Sequence, residues 1–309
     1  MFYKKKIRMK SLLNYKKNFF YYFIIIYLTI GFYLCLNVGI THDEFHELTG
    51  WGVNKNIYLN FLLDKNYDTN FQGVAMGFYG IGFHIISLPI EILFNFFLEL
   101  NATDYGKDLL IKHPTVFIFF VISGIYLRKL FFLITGNKNY SNICTIFYLT
   151  YPYLLGHSFF NVKDIPFMSV WLVCTFYLIK ILLFYSHSKK IRLKDFLIIS
   201  ILTSYLLSIR ISGVLIFLEY FIFFMVFFQT YNLNILYFIK KTYKFLISFI
   251  LILIPLFYLF HPNYWKNPML VIESINYMSH HIQTVCTITL GECMKAQNLP
   301  SSYIPIWLF

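Results

Sequence analysis

Charge is what this chain has least of. Only 13% of its 309 residues are Asp, Glu, Lys or Arg, about half the roughly 25% of a soluble domain. So little charge cannot cover a water-facing surface, and 58% of the residues are hydrophobic; lipid is the solvent for much of the chain. Acids are scarcer than bases, 14 against 26, for a net charge of +12. That excess does not point to nucleic acid. The bases sit in short clusters between apolar runs, where membrane topology puts them. The five cysteines include no C-x-x-C pair, which argues against a zinc site. Cys35, Cys144 and Cys174 lie in apolar runs as packing residues, while Cys286 and Cys293 share a polar segment and are a candidate disulfide in an oxidising compartment. A cleavage site is missing too. Residues 1–18 carry seven bases and no acid, but the following apolar run continues from Phe19 to about Ile40 with no A-x-A-like end, so it reads as a retained first span.

What is present is a series of apolar runs, at 19–40, 74–100, 113–135, 143–160, 166–185, 196–228 and 243–260. A span needs about 20 such residues. Four basic clusters set the topology: Lys4 to Lys17; Arg128, Lys129 and Lys138; Lys189, Lys190, Arg192 and Lys194; Lys240, Lys241 and Lys244. All four are expected in the cytoplasm. The run 196–228 lies between two of them and has to cross twice, turning near Arg210–Gly213. The run 74–100, broken by glycines and Pro89, has to cross an even number of times or not at all. The predicted architecture is all-α: a polytopic membrane helical bundle with interface or re-entrant helices in the first outer loop. One domain covers 1–309, with 1–18 a cytoplasmic tail, 41–112 the first outer loop and 261–302 an outer segment. The apolar stretch from Tyr303 to Phe309 is too short to cross, so the chain reads as truncated at its C-terminus.

On this topology four polar motifs fall outside together. Thr41-His42-Asp43-Glu44-Phe45-His46-Glu47 follows the first span directly. On a helix Asp43 and Glu47 share a face at i, i+4, as do His42 and His46. Thr41 and Glu44 also read as a capping box. The two histidines and remaining acids are costly beside lipid and mark function; a divalent metal is one use for them. Asn161-Val162-Lys163-Asp164-Ile165-Pro166 precedes a span, with Asp164 a helix cap and Pro166 in the first turn, and Lys163 a cation at the surface. Arg210 interrupts an apolar run and needs water, an anion or an acid; guanidinium suits phosphate. His261, Tyr264 and Trp265 open the last outer segment, as interface anchors or as a stacking surface for a sugar. His84 and Glu91 read as turn or interface residues.

The acidic pair after the first span, the Phe160-Asn161-Val162-Lys163-Asp164-Ile165-Pro166 segment and the outer His261-Pro262-Asn263-Tyr264-Trp265 together resemble C-type integral-membrane glycosyltransferases. The branch resembled is that of dolichyl-phosphate-mannose protein mannosyltransferases and aminoarabinose lipid A transferases. The resemblance implies a membrane enzyme that moves a sugar from a polyprenyl-phosphate donor to a protein or lipid or glycan acceptor at the outer face, inverting the anomeric carbon. It implies Asp43 as base, with Glu44 as alternative base or orienting group, and Lys163 and Arg210 as ligands of the donor phosphate. His42, His46, Glu47, Asn161, Asp164, His261, Tyr264 and Trp265 are expected to bind or orient substrate. The expected setting is a bacterial inner membrane with the site in the periplasm, membrane lipid as a partner and no cofactor required beyond a divalent metal held in reserve. Two other classes remain open. A transporter or flippase of lipid-linked sugar calls for a two-fold repeat and mid-membrane charges; no repeat is visible and the acids sit at span ends. A non-catalytic assembly subunit needs no convergence of Asp43, Lys163 and Arg210.

Overall fold

The computed structural model describes residues 2–63, 65–66, 80–97, 104–188, 190–232, 234–279, 286–289, 291–295 and 298–303; the side chains of 2–18, 42, 104–105, 278–279 and 286–289 are outside that description. The chain is an all-α bundle. Its helices are α1 (Phe2–Asn37), α2 (His42–Leu62), α3 (Gly82–Phe97), α4 (Asp104–Leu110), α5 (His113–Thr135), α6 (Lys138–Thr150), α7 (Pro152–His157), α8 (Asp164–Ser188), α9 (Leu193–Ile209), α10 (Ile216–Thr230), α11 (Ile235–Leu259) and α12 (Leu270–Ser279). A short hairpin of β1 (Cys286–Thr289) and β2 (Glu292–Lys295) follows, antiparallel, with Ile288 opposite Cys293.

Among the described residues, five helical segments are long and apolar enough to cross a membrane: Phe19–Asn37, Gly106–Thr135, Asp164–Ser188, Ile211–Thr230 and Ile235–Leu259. Most of their exposed residues away from the helix ends are apolar, such as Tyr22, Ile26, Ile222, Val226, Ile250 and Leu251, which identifies lipid as their surroundings. The most extensive buried apolar cluster joins α8, α9 and α10, where Cys174, Leu206 and Ile216 are fully buried. At one end of that sandwich Lys180 reaches Asp195 at 2.6 Å, fastening α8 to α9.

Two boundaries follow from single residues. The run expected as one span at 143–160 is interrupted: α6 stops at Thr150, Tyr151 adopts an extended conformation (φ −62°, ψ 117°), and α7 restarts at Pro152. The proline ring disfavours helical geometry in the residue before it. The break in 196–228 falls where the sequence places it. Helix α9 ends at Ile209, Arg210 is extended, and a 3-10 turn over Ile211–Leu215 leads into α10.

Following the chain sorts its polar segments onto two ends. The Cys35 carbonyl at the exit of α1 touches His113 at the entry of α5. The ring of Phe159, past α7, packs on Phe117 near that same end. Arg210 at the exit of α9 meets Asp164 at the entry of α8, and Tyr58 of α2 donates to the Leu259 carbonyl at the exit of α11. The acidic motif, Asn161–Asp164, Arg210 and His261–Trp265 are therefore together. Arg128, Lys129 and Lys138, then Lys190, Arg192 and Lys194, lie at the far ends of α5 and α8. Helix α5, 23 residues long, separates the two ends by about 34 Å.

Between α2 and α4, α3 turns its polar side chains inward and most of its large apolar ones outward. Phe83 is buried together with the polar His84, Ser87 and Glu91, while Ile86, Ile92, Leu93, Phe96 and Phe97 are exposed. Such a helix lies with its apolar side in lipid and its polar side against the protein. Its start is seated on the end of α9: a Cβ at Gly80 would come 2.3 Å from the Ser208 carbonyl oxygen, and one at Gly82 would come 2.0 Å from Ser208 Oγ. The glycines permit that approach. Residues 74–79 and 98–100 of the expected 74–100 run lie outside the described residues.

Candidate active site at the acidic end of the bundle

Four ion pairs join segments distant in sequence at this end. Glu47 of α2 binds Lys163 Nζ at 2.5 Å. Next along the loop, Asp164 binds Arg210 Nη1. Glu44 binds His113 Nε2 at 2.7 Å. Glu91 of α3 binds Lys112 Nζ at 2.5 Å. Together they tie α2, α3, the entry of α5, the 161–164 loop and the Arg210 turn into one polar face.

Each position has a local cause. Helix α2 begins at His42, with Thr41 extended before it (φ −93°, ψ 156°). The Thr41 amide donates to Glu44 Oε1 at 2.7 Å, which is the glutamate half of a capping box. The Thr41 hydroxyl donates to the same oxygen at 2.8 Å. Glu44 is thereby turned inward and only 2% exposed. Asp43, its neighbour, points away from the packing and is exposed in the first helical turn; among the described residues it has no ion-pair or hydrogen-bond partner. Asp43 and Glu47 lie on one face at i, i+4, so the free carboxylate stands one helical turn from the Glu47–Lys163 pair.

The 157–164 loop is held by Asn161. Its Oδ1 accepts from the amides of Lys163 (3.2 Å) and Asp164 (2.7 Å), and its Nδ2 faces Asp164 Oδ2 (3.3 Å) and His157 Nδ1 (3.2 Å). Asn161 thus caps α8 and fixes the direction of both charged neighbours. Arg210 also lies over the Phe167 ring at 5.9 Å.

The sequence assigns Lys112 and His113 no role and reads Glu91, with His84, as a turn or interface residue; in the structure all four are buried. Lys112 is 1% exposed, and Glu91 also accepts from Ser87 Oγ. His84, next to this pair, stacks on Trp51 (5.6 Å, 16°), and its Nδ1 is buried without a partner. Burial first, then the nearby charges of Lys112 and Lys163, hold its pKa well below the ordinary histidine range. The ring is neutral at pH 7 and sits in a positive field. One signal was present: ionisable residues inside or at the entry of apolar runs are costly unless they have partners. The same signal marks Glu219 of α10, away from this face, which accepts from Trp171 Nε1 and from Thr175 Oγ1 (2.6 Å).

The other sequence candidates fall differently. His46 is exposed on α2, and the His42 side chain lies outside the described residues. His261 and Tyr264 are in the packing rather than on a surface. Tyr264 is 0% exposed and its hydroxyl meets Ser274 Oγ at 2.8 Å. His261 stacks on Tyr264 (5.1 Å, 9°), donates from Nδ1 to the Phe257 carbonyl at 2.8 Å, and burial pushes its pKa down to about 4. Trp265 donates to the Tyr258 carbonyl at 2.7 Å and takes edge contacts from Tyr58 and Phe61. The three fasten the exit of α11 to α2. The Cys286 side chain is outside the described residues; Cys293 is disulfide-bonded. No group of three or more His, Cys, Asp or Glu side chains among the described residues forms a metal site.

Chemically, this face offers an exposed carboxylate, Asp43, one helical turn from the Glu47–Lys163 pair, and a second held cation in the Asp164–Arg210 pair. That arrangement suits proton abstraction from a hydroxyl next to a bound anion. No protein-family model, no curated protein and no solved structure matches the chain.

Proposed function

We propose that the chain is a membrane glycosyltransferase that moves a sugar from a polyprenyl-phosphate donor to a hydroxyl of a protein, lipid or glycan acceptor at the outer face of a bacterial inner membrane. The observation that carries this reading is the pair of links Glu47–Lys163 and Asp164–Arg210, which hold two cations on the polar face where α2 presents Asp43 one turn before Glu47. Such donors are anchored in the bilayer, so a site at the membrane boundary meets them where they are.

In this reaction Asp43 accepts the proton of the acceptor hydroxyl as its oxygen attacks the anomeric carbon. The bond from that carbon to the phosphate oxygen breaks, and the phosphodiester leaves as polyprenyl phosphate. Attack opposite the leaving group inverts the anomeric centre. The leaving phosphate gains charge in the transition state, and pre-set cations stabilise it most there. Arg210 spends one N–H on Asp164 and has others in its fork to offer a phosphate. Glu47 and Asp164 hold the cations in place, and Asn161 holds the loop. Glu44, enclosed by Thr41 and His113, anchors α2 and leaves the base role to Asp43.

The test supplies membranes holding the parent or Asp43→Asn with a panel of radiolabelled polyprenyl-phosphate sugars and follows label into acceptors. Transfer by the parent and not by the variant, at equal expression, is the expected result. Equal transfer by both removes Asp43 as base, and no transfer by the parent with any donor removes the reaction class.

A further inference from the structure

The end of the bundle opposite this site carries a second polar feature. Between α5 and α6 lies a cavity of about 260 Å³ lined by Arg128, Lys129, Phe132, Lys138 and Ser141. Its cations are braced by their neighbours. Arg128 donates from Nε to Asn142 Oδ1 at 2.6 Å and lies over the Phe20 ring at 4.5 Å. Lys129 Nζ stands 4.2 Å from the centre of the Tyr126 ring, and Lys138 Nζ 6.0 Å from that of Phe132. The loop between the helices turns on Gly136, whose φ is +65°, and Asn137 accepts from the amides of Asn139 and Tyr140. The α6 start is therefore already capped, and the cavity's charge comes from side chains.

Among the described residues no acid pairs with these three cations. The sequence has no Asp or Glu anywhere in 1–42 or 109–163, which is the whole of α1, α5, α6 and α7. The neighbouring basic loop is different: Lys180 and Arg192 both pair with Asp195, at 2.6 and 3.3 Å. A general excess of bases at this end explains both loops equally. It does not explain why one has an internal counter-ion and the other has a hollow between three cations. The α5 face that carries Lys129 is apolar and exposed on either side of it, with Ile125 four residues before and Phe132 three residues after.

We propose that this cavity binds the phosphate headgroup of an anionic glycerophospholipid, with the acyl chains lying along Phe132 and Ile125 of α5. Arg128 supplies the forked donors and the two lysines the remaining charge. The adjoining apolar wall selects a lipid over free phosphate. The site is separate from the candidate active site and stands whether or not the chain transfers sugar.

The test uses the full chain in phosphatidylcholine nanodiscs with graded phosphatidylglycerol, reading bound lipid by native mass spectrometry. The parent is expected to retain phosphatidylglycerol selectively. Each lysine near an anionic lipid contributes about fivefold to affinity, so K138Q should lose about fivefold and K129Q/K138Q about 25-fold. Lys138 is exposed, and K138Q should unfold at the parent's temperature in pure phosphatidylcholine, which separates lost binding from lost folding. K241Q, an exposed lysine on α11, should bind as the parent does. Undiminished binding in K129Q/K138Q overturns the proposal, and so does an equal loss in K241Q, which would mean diffuse surface charge. Displacement of the lipid by inorganic phosphate that itself binds as tightly in micelles overturns it as well, in favour of a soluble-phosphate site.

Discussion

The Glu44 carboxylate lies 2.7 Å from Nε2 of His113, and the opposite nitrogen of that ring is 3.0 Å from the carbonyl oxygen of Cys35. A carbonyl only accepts, so Nδ1 carries a proton. One further proton then lies between Nε2 and Glu44. The three residues come from the exit of α1, the start of α2 and the entry of α5, and the pair between them is fully enclosed. This arrangement makes the two adjacent acids of the motif unequal. Glu44 is committed to structure, and Asp43 is available for chemistry.

That inequality predicts a graded response. In Glu44→Gln the amide can still accept from Thr41 and can donate to a neutral His113 ring. Its cost should stay within about 1 kcal/mol. His113→Ala leaves a buried carboxylate without its partner and should cost about 3–5 kcal/mol. Thermal unfolding of the two variants in the same detergent measures both. If E44Q is as damaging as H113A, the carboxylate is needed for more than anchoring.

The Glu47–Lys163 pair separates holding from binding. Its side chains are mostly buried, 10% and 18% exposed. Lys163→Ala should cost about 3 kcal/mol by stranding Glu47 and should abolish transfer. The exchange E47K/K163E re-forms an ion pair and should recover most of the stability. It also turns a carboxylate toward the donor phosphate, so transfer should stay lost. Expression, unfolding temperature and label transfer in the four-member cycle test this; recovery of transfer in the exchanged pair would remove Lys163 from the phosphate site.

Much of this arrangement was legible in the sequence, and the reasons are physical. Apolar length and the placement of Lys and Arg are local properties, and they put Arg128, Lys190 and Lys241 opposite Asp43, Lys163 and Arg210. The break at Arg210 was legible because a 33-residue apolar run between two basic clusters must turn. The kink at Tyr151 was hidden because hydropathy does not register Pro152. The partnerships were hidden for another reason. Nothing local tells Glu91 that it meets Lys112, or Glu44 that it meets His113. A buried acid announces that it needs a partner, and only the tertiary path of the chain says which. His261 and Tyr264 carried a polar signature while serving as packing, since aromatic rings with one satisfied polar atom bury well.

The seating of α3 on α9 is tested by two alanines. At Gly80 the new Cβ would meet the Ser208 and Ile209 carbonyl oxygens, at 2.3 and 2.5 Å, which are backbone and cannot yield. At Gly82 it would meet first the Ser208 hydroxyl. Both substitutions should destabilise by about 1–3 kcal/mol through overpacking. Adding Ser208→Gly should recover part of the Gly82→Ala loss and none of the Gly80→Ala loss. Because Ser208 is two residues before Arg210, Gly80→Ala should also lower transfer more than it lowers folding. Equal rescue of both alanines by Ser208→Gly would mean that α3 is not seated as described.

Acid sensitivity is the last expectation, and its sign follows from burial. The pKa of His261 is pushed down to about 4 in the folded chain, against about 6.5 when unfolded. Above pH 6.5 both states hold a neutral ring and folding is unaffected. As the pH falls from there the unfolded chain takes up a proton that the folded chain refuses, so stability is lost progressively. By pH 4 the loss is on the order of 3 kcal/mol from this residue. His84 adds to it in the same direction, because its pKa is also held low. His261→Phe keeps the stack on Tyr264 and cannot titrate. It should be about 1 kcal/mol less stable at pH 7, from the lost bond to the Phe257 carbonyl, and should show a visibly shallower decline between pH 6.5 and 4. Unfolding temperatures of parent and variant across that range give the two slopes. Identical slopes would mean that His261 is protonated while the bundle is still folded, and that the hairpin from α11 to α12 opens before the rest of the bundle.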